Sequence, residues 1–272
     1  MRPATHDSVL AYIQSFQGTA QHIILIDPDD ASPEVAASRC VAAVSAGSKM
    51  IFVGGSTGTD NSNVHDTCIA IQEALELYVW NSSQNSTLSE DDWRVPVVLF
   101  PAGSNALSPN ADAITFMMLM NSNERRFLIG EQVQGVPHIR KAGVEPLSMG
   151  YLVCAPGGKV GEVGGVDLIE SDAIEEVAAY TMCAEAYNFS ILYLEAGSGA
   201  HTPVSTELIR AAKAASSTLI LIVGGGIKNG ATANAAIKAG ADWIVTGNLT
   251  EQFDNAATLQ STLEKFITQM QG

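Results

Sequence analysis

The sequence predicts an α/β fold: a modified (β/α)8 or TIM barrel that lacks a regular third helix and fills residues 1–272 as a single domain. Three observations carry this. Short β-branched and apolar runs alternate with longer amphipathic, Ala-rich stretches, the pattern of repeated βα units around a parallel sheet. Eight such runs can be counted, the number that closes a barrel. The length, 272 residues, is one that α/β barrels routinely fill as one domain.

The strands are read at 22–27, 50–55, 95–101, 113–120, 145–153, 191–196, 218–225 and 243–247. Helical spacing of Ala, Val, Ile and Leu marks helices over 33–46, 64–78, 171–188, 203–215, 230–239 and 256–270. Pro33 and Pro203 suit helix first turns, where a missing N–H costs nothing. Between the third and fourth strands only 102–112 is available. Gly103, Pro109 and the Asn and Ser residues there disfavour a crossover helix, hence the barrel with one helix missing. The Ser- and Asn-rich segment 81–92 reads as a surface insertion before the third strand.

With 46% apolar and 16% charged residues the chain has ample material for a core. A net charge of −15 argues against nucleic acid and anionic membrane surfaces as partners, because both recruit clustered Lys and Arg. No apolar stretch approaches the roughly 18 residues that span a bilayer. Nor does a basic segment followed by an apolar run open the chain, so the expected location is the cytoplasm. Cys40, Cys68, Cys154 and Cys183 are widely spaced without a CxxC, and are expected to be reduced thiols rather than zinc ligands or disulfides.

In such barrels chemistry gathers where strands end. The seventh strand ends in Gly224-Gly225-Gly226-Ile227-Lys228-Asn229 and the eighth in Thr246-Gly247-Asn248. Glycines there let backbone N–H groups approach phosphate oxygens, so a phosphate-bearing small molecule is the expected ligand. Neither loop fits GxGxxG and no GxxxxGK occurs, which removes dinucleotide and Walker-type readings. The sixth strand ends Tyr193-Leu194-Glu195-Ala196-Gly197-Ser198-Gly199. Glu195 should face the barrel mouth, where it can accept a hydrogen bond from a substrate hydroxyl or remove its proton, with Tyr193 donating to a phosphate oxygen. The first strand runs into Asp27-Pro28-Asp29-Asp30 and the second ends Gly54-Gly55-Ser56-Thr57-Gly58. Hard oxygen donors of this type suit Mg²⁺, for which Asp27 with Ser56 suffices when substrate phosphates and water complete the shell. Each motif also has a plain structural alternative: turn glycines, an ion-paired glutamate, and a solvated turn or helix N-cap at DPDD.

Taken together, Leu25-Ile26-Asp27-Pro28-Asp29, Phe52-Val53-Gly54-Gly55-Ser56-Thr57, Phe100-Pro101-Ala102-Gly103, Tyr193 to Gly199, Val223-Gly224-Gly225-Gly226-Ile227 and Val245-Thr246-Gly247-Asn248 resemble the geranylgeranylglyceryl phosphate synthases, over nearly the whole chain. The resemblance implies an ether-forming prenyltransferase. A polyprenyl group, geranylgeranyl or, as in a similar bacterial branch, heptaprenyl, would pass from its diphosphate to the primary hydroxyl of sn-glycerol 1-phosphate. It further implies Mg²⁺ at Asp27 and Ser56, catalytic roles for Glu195 and Asp27, and an assembly of at least two copies. The glycerol phosphate cradle would be Tyr193, Leu194, Glu195, Ala196, Gly197, Ser198, Gly199, Gly225, Gly226, Gly247 and Asn248. Many family members carry a basic residue after DPD. This chain has Asp30 there, which moves the expected diphosphate contacts to Lys159 or Lys228. Phe116, Met117, Met118 and Met120 are expected as barrel core rather than prenyl groove, and Trp80 or Trp93 as interface aromatics.

Two other readings share part of this pattern. A sugar-phosphate isomerase or aldolase would use the same two final loops, although an aldolase needs a Schiff-base lysine at a strand end and no strand interior supplies one. A catalytically silent ligand-binding barrel would have no use for both Asp27 and Glu195 at one mouth.

Overall fold

The computed structural model describes residues 6–55, 57–85, 94–251 and 255–272. Eight parallel strands, β1 (Gln21–Ile26), β2 (Met50–Val53), β3 (Val97–Leu99), β4 (Ala113–Leu119), β5 (Glu145–Val153), β6 (Ile191–Glu195), β7 (Ile220–Gly224) and β8 (Trp243–Thr246), close into a barrel in chain order. The register of β1 with β8, Ile24 opposite Thr246, completes the ring. Each observed strand lies within the expected run or begins a residue earlier, and all but β5 end sooner, where the backbone turns out of the ladder toward the mouth.

Alternation explains why the runs are apolar throughout. Ile23, Phe52, Tyr193 and Val245 point into the barrel, while Ile24, Ile26, Leu192 and Leu194 pack against the surrounding helices. Both faces are buried, so no polar face breaks the pattern.

The helices are α1 (Val9–Gln14), α2 (Pro33–Ser45), α3 (Asn61–Asn85), α4 (Glu131–Ala142), α5 (Gly158–Gly164), α6 (Ile174–Ala186), α7 (Thr206–Ala215), α8 (Gly230–Ala239), α9 (Asn248–Glu251) and α10 (Ala256–Gln271). Residues 101–112 carry no helix, so β3 passes to β4 without a regular third helix as expected. Pro203 is not in the first turn of α7. Ser205 is the N-cap there, its hydroxyl accepting from the amide of Leu208. α3 runs on to Asn85, into the segment expected as an insertion, and the rest of that segment with Trp93 lies outside the described residues.

α1 seals the bottom of the barrel. Glu145, the first residue of β5, accepts from the amides of Val9 and Leu10 at 2.7 and 3.0 Å. Tyr12 donates to the Lys49 carbonyl at 2.8 Å, and Phe16 meets Trp243 edge-on. The opposite end, where the strands finish, holds two cavities among the described residues. No helix among the described residues is long and apolar enough to cross a membrane.

Candidate active site

Strand alternation turns Tyr193 and Glu195 inward, and both are almost wholly buried. The Tyr193 hydroxyl donates to Glu195 Oε2 at 2.9 Å, and the Gly197 amide donates to Oε1 at 2.6 Å. Burial pushes the Glu195 carboxyl above its ordinary value, and hydrogen bonds from Tyr193 and from the Gly197 and Ala196 amides pull it partly back. Burial and the neighbouring carboxylate hold Tyr193 well above the usual phenol range, so it stays a donor. Glu195 is thus a fixed acceptor with one lone pair of each oxygen already engaged.

The facing strand makes room for this pair. A Cβ at Gly224 would land on the Tyr193 hydroxyl, and one at Gly225 on the Glu195 carboxylate. Gly225 and Gly226 also take φ of +78° and +70°, in the left-handed region. Beside them lies a cavity of about 270 Å³ walled by Tyr193, Glu195, Ser198, Gly199, Gly225, Gly226, Lys228, Thr246, Gly247 and Asn248. The loops after β6 and β8 are tied across it, Ser198 Oγ donating to Asn248 Oδ1 at 2.8 Å. A barrel phosphate site is built in this way, from the loops after the last two strands and a short extra helix, here α9.

A second cavity, about 350 Å³, adjoins the first and shares Leu25, Glu195, Ser198, Gly247 and Asn248 with it. Asp27, Asp30 and Gly55 stand on its polar side, with Phe100, Phe116, Met117, Phe127 and Tyr151 on its apolar side. Asp27 is held by its own turn, Oδ1 accepting from the Asp29 amide at 3.0 Å. A side chain at Gly55 would occupy the space of that carboxylate. The helix-free 101–112 segment and α4 form one wall, fastened where Glu131 accepts from the Ser104 amide at 2.6 Å and pairs with Arg126.

Most of the expected site residues therefore meet at one mouth, but not all. Leu194 and Ala196 are buried on the helix side of β6 and line neither cavity. Gly197 contributes its amide to Glu195 rather than a cavity wall. Ser56 lies outside the described residues. Lys159 is exposed beside Glu162, 3.7 Å away, whereas Lys228 does reach the smaller cavity. Phe116 and Met117, expected as core, line the larger cavity, while Met118 and Met120 do not. Sequence reasoning also missed Phe127, Tyr151 and Gln132, which line the same cavity, and the buried His22 behind the smaller one.

Asp27 suits a divalent cation that takes one or two carboxylates and completes its shell with substrate phosphates and water. Among the described residues no group of three or more His, Cys, Asp or Glu side chains converges, so a cage made wholly of protein ligands is not what these residues would offer.

Comparison with known proteins agrees with the geometry. The model of the PcrB family matches residues 15–266. The geranylgeranylglyceryl phosphate synthase of Methanococcoides burtonii is 41% identical over 239 residues, 88% of this chain and 89% of that protein. The crystal structure of (S)-3-O-geranylgeranylglyceryl phosphate synthase from Thermoplasma acidophilum in complex with sn-glycerol-1-phosphate superposes with a TM-score of 0.86 at 32% identity, covering 98% of this chain and 99% of that one. The wild-type enzyme from Thermoplasma volcanium gives 0.84 at 36%, covering 97% and 98%. With the family model matched over residues 15–266 and a relative 41% identical over 88% of its length, this chain belongs to the PcrB family.

Proposed function

We propose that this protein is a prenyltransferase, a geranylgeranylglyceryl phosphate synthase, that forms the ether bond between sn-glycerol 1-phosphate and a polyprenyl diphosphate and releases diphosphate. The observation that carries this reading is that Glu195 belongs to two adjoining cavities, one ringed by glycine turns and one apolar with a carboxylate at its edge. Glycerol phosphate fits the first. Its phosphate would meet the backbone of Gly225, Gly226 and Gly247 beside Lys228, and its hydroxyls would point at Glu195.

The prenyl chain fits the second, among Phe100, Phe127 and Tyr151, where the expulsion of water protects a reactive allylic carbon. As the bond from that carbon to the diphosphate oxygen breaks, the electron pair leaves with diphosphate. The glycerol hydroxyl oxygen bonds to the carbon, and its proton passes to the Glu195 carboxylate. The π faces of Phe100 and Tyr151 favour cationic character at the carbon. Mg²⁺ is the cofactor in this reading, and when held by Asp27, with Ser56, it supplies the positive charge that stabilises the departing diphosphate. No lysine or arginine of the described residues lines the larger cavity, so this chain leans on that charge and on Lys228 next door.

The names of the relatives support geranylgeranyl diphosphate as donor. The same reading places the enzyme in the cytoplasm, treats 1–272 as one domain, and expects two or more copies to associate, with Trp80 exposed on α3 as an interface aromatic. The test is to incubate the protein with radiolabelled sn-glycerol 1-phosphate, Mg²⁺ and prenyl diphosphates of increasing length, then count label in an organic extract. Label is expected, strongest with the geranylgeranyl donor and lost in Glu195→Ala and Asp27→Ala. A preference for heptaprenyl diphosphate would reassign the donor, and no label with any donor would overturn the prenyl-transfer reading.

A further inference from the structure

We propose that His22 is a positioning residue for the phosphate cradle: it holds Thr246, and through Thr246 the turn at Gly247 and Asn248, in the place a bound phosphate needs. This rests on the reading of the smaller cavity as a phosphate site. Both side chains face away from the barrel interior and are almost wholly buried. The imidazole bridges two hydroxyls, with Nε2 2.8 Å from Thr246 Oγ1 and Nδ1 2.7 Å from the buried Ser48 Oγ, and lies against Phe266 with ring centres 5.4 Å apart. Burial pushes its pKa down to about 3, so the ring is neutral, with one nitrogen donating and the other accepting.

A polar triad is out of place in this layer. Its neighbours Ile24, Ile26 and Ile244 are hydrocarbon, and replacing hydrogen-bonded partners by apolar groups of the same shape is often nearly neutral for stability. What the triad does provide is location. The backbone ladder between β1 and β8 ends at the pair Ile24 and Thr246, and the next residue, Gly247, already lines the cavity and has no side chain to anchor it. Thr246 is therefore the last residue of β8 in the ladder before the cradle turn. The other end of that turn is held by Ser198 through Asn248. Two ties, one on each side of Gly247, keep the turn from drifting when no ligand is bound.

The experiment compares Thr246→Val, Thr246→Ser, His22→Leu and the double variant His22→Leu/Thr246→Val with the unmodified protein. Calorimetric titration uses sn-glycerol 1-phosphate and, separately, inorganic phosphate, and steady-state assays vary each substrate in turn. Thr246→Val should weaken both phosphate ligands and raise KM for glycerol phosphate about tenfold, the scale of one lost buried hydrogen bond. His22→Leu, which touches neither cavity, should weaken the same ligands while the KM for the prenyl donor and kcat stay within about twofold, because the turn acts on binding of one substrate. Thr246→Ser should restore binding, and the double variant should be no weaker than the worse single one, since both remove the same tie.

Thr246→Val that binds both ligands like the parent overturns the proposal. So does a loss in which both substrates' KM rise together with a lower melting temperature, the mark of a purely structural role. If the parent binds inorganic phosphate and the variants weaken it, yet no donor is ever transferred, the positioning role stands and only the prenyl-transfer reading falls.

Discussion

Gly225→Ala is the perturbation whose consequences follow most completely from the geometry. At φ of +78° an alanine costs about 1–2 kcal/mol, because its Cβ crowds the following carbonyl. The new methyl would also fall on the Glu195 carboxylate and lie 2.7 Å from the amide nitrogens of both Ala196 and Gly197. Glu195 must therefore swing away and give up the bond from the Gly197 amide, a hydrogen bond to a charged group worth about 1.5–3 kcal/mol. The sum is a loss of about 2.5–5 kcal/mol of stability. Activity should fall by at least ~100-fold, since a displacement of about 1 Å at a catalytic group has that effect. Gly199→Ala is the control. Its φ is +68°, but the nearest atom to the added methyl is Asn248 Oδ1 at 3.8 Å, so only the conformational cost of about 1–2 kcal/mol applies. Urea denaturation of the two variants, with kcat/KM measured on folded protein, makes the comparison. Equal destabilisation of the pair, or a Gly225→Ala variant with parental activity, would refute the claim that Gly225 exists to seat Glu195.

Three further outcomes are expected. Tyr193→Phe removes the donor that pulls the Glu195 pKa down, so the acid limb of the kcat/KM against pH profile should move to higher pH, and chemical denaturation should show a loss of about 0.5–1.5 kcal/mol. In Glu195→Gln the cost of burying a charge disappears. A carboxyl whose folded pKa is raised binds its proton more tightly folded than unfolded, so the parent loses stability as pH rises from the unfolded value through the folded one. The variant should thus be the more stable at neutral pH, with the gap closing as pH falls through the folded pKa of Glu195, which urea titrations at several pH values will show. Met117→Trp should fill part of the larger cavity and raise KM for prenyl diphosphate while leaving calorimetric binding of glycerol phosphate within about twofold.

The barrel was legible because each strand is buried on both faces and each helix on one, so the alternation of apolar runs and Ala-rich stretches survives in one dimension. The missing helix was legible too, since 102–112 is short and rich in helix breakers. α4 and α5 were not. α4 contains Gly135 and Pro137 with few apolar positions, and α5 has glycine at 158, 161 and 164, so tertiary packing overrides weak propensity in both. At the site, the polar residues at strand ends could be found because a carboxylate or a glycine pair after an apolar run is conspicuous. The apolar wall could not. In the apolar run of β4, Met117, which lines the cavity, and Met118, which does not, look alike, and Phe127 reaches the mouth from a π-helical turn that sequence spacing does not announce. His22 shows the same limit: a lone histidine in an apolar run gives no sign that its partner, Thr246, lies 224 residues away.

The central claim is that Glu195 stands between a phosphate cradle and a prenyl cavity, and a diffraction structure of crystals soaked with sn-glycerol 1-phosphate tests it most directly. The account predicts phosphate density at the Gly225, Gly226 and Gly247 turns, with a glycerol hydroxyl within hydrogen-bond distance of Glu195 and the adjoining cavity left free. Phosphate bound elsewhere, or glycerol lying in the apolar cavity beyond reach of Glu195, would contradict it.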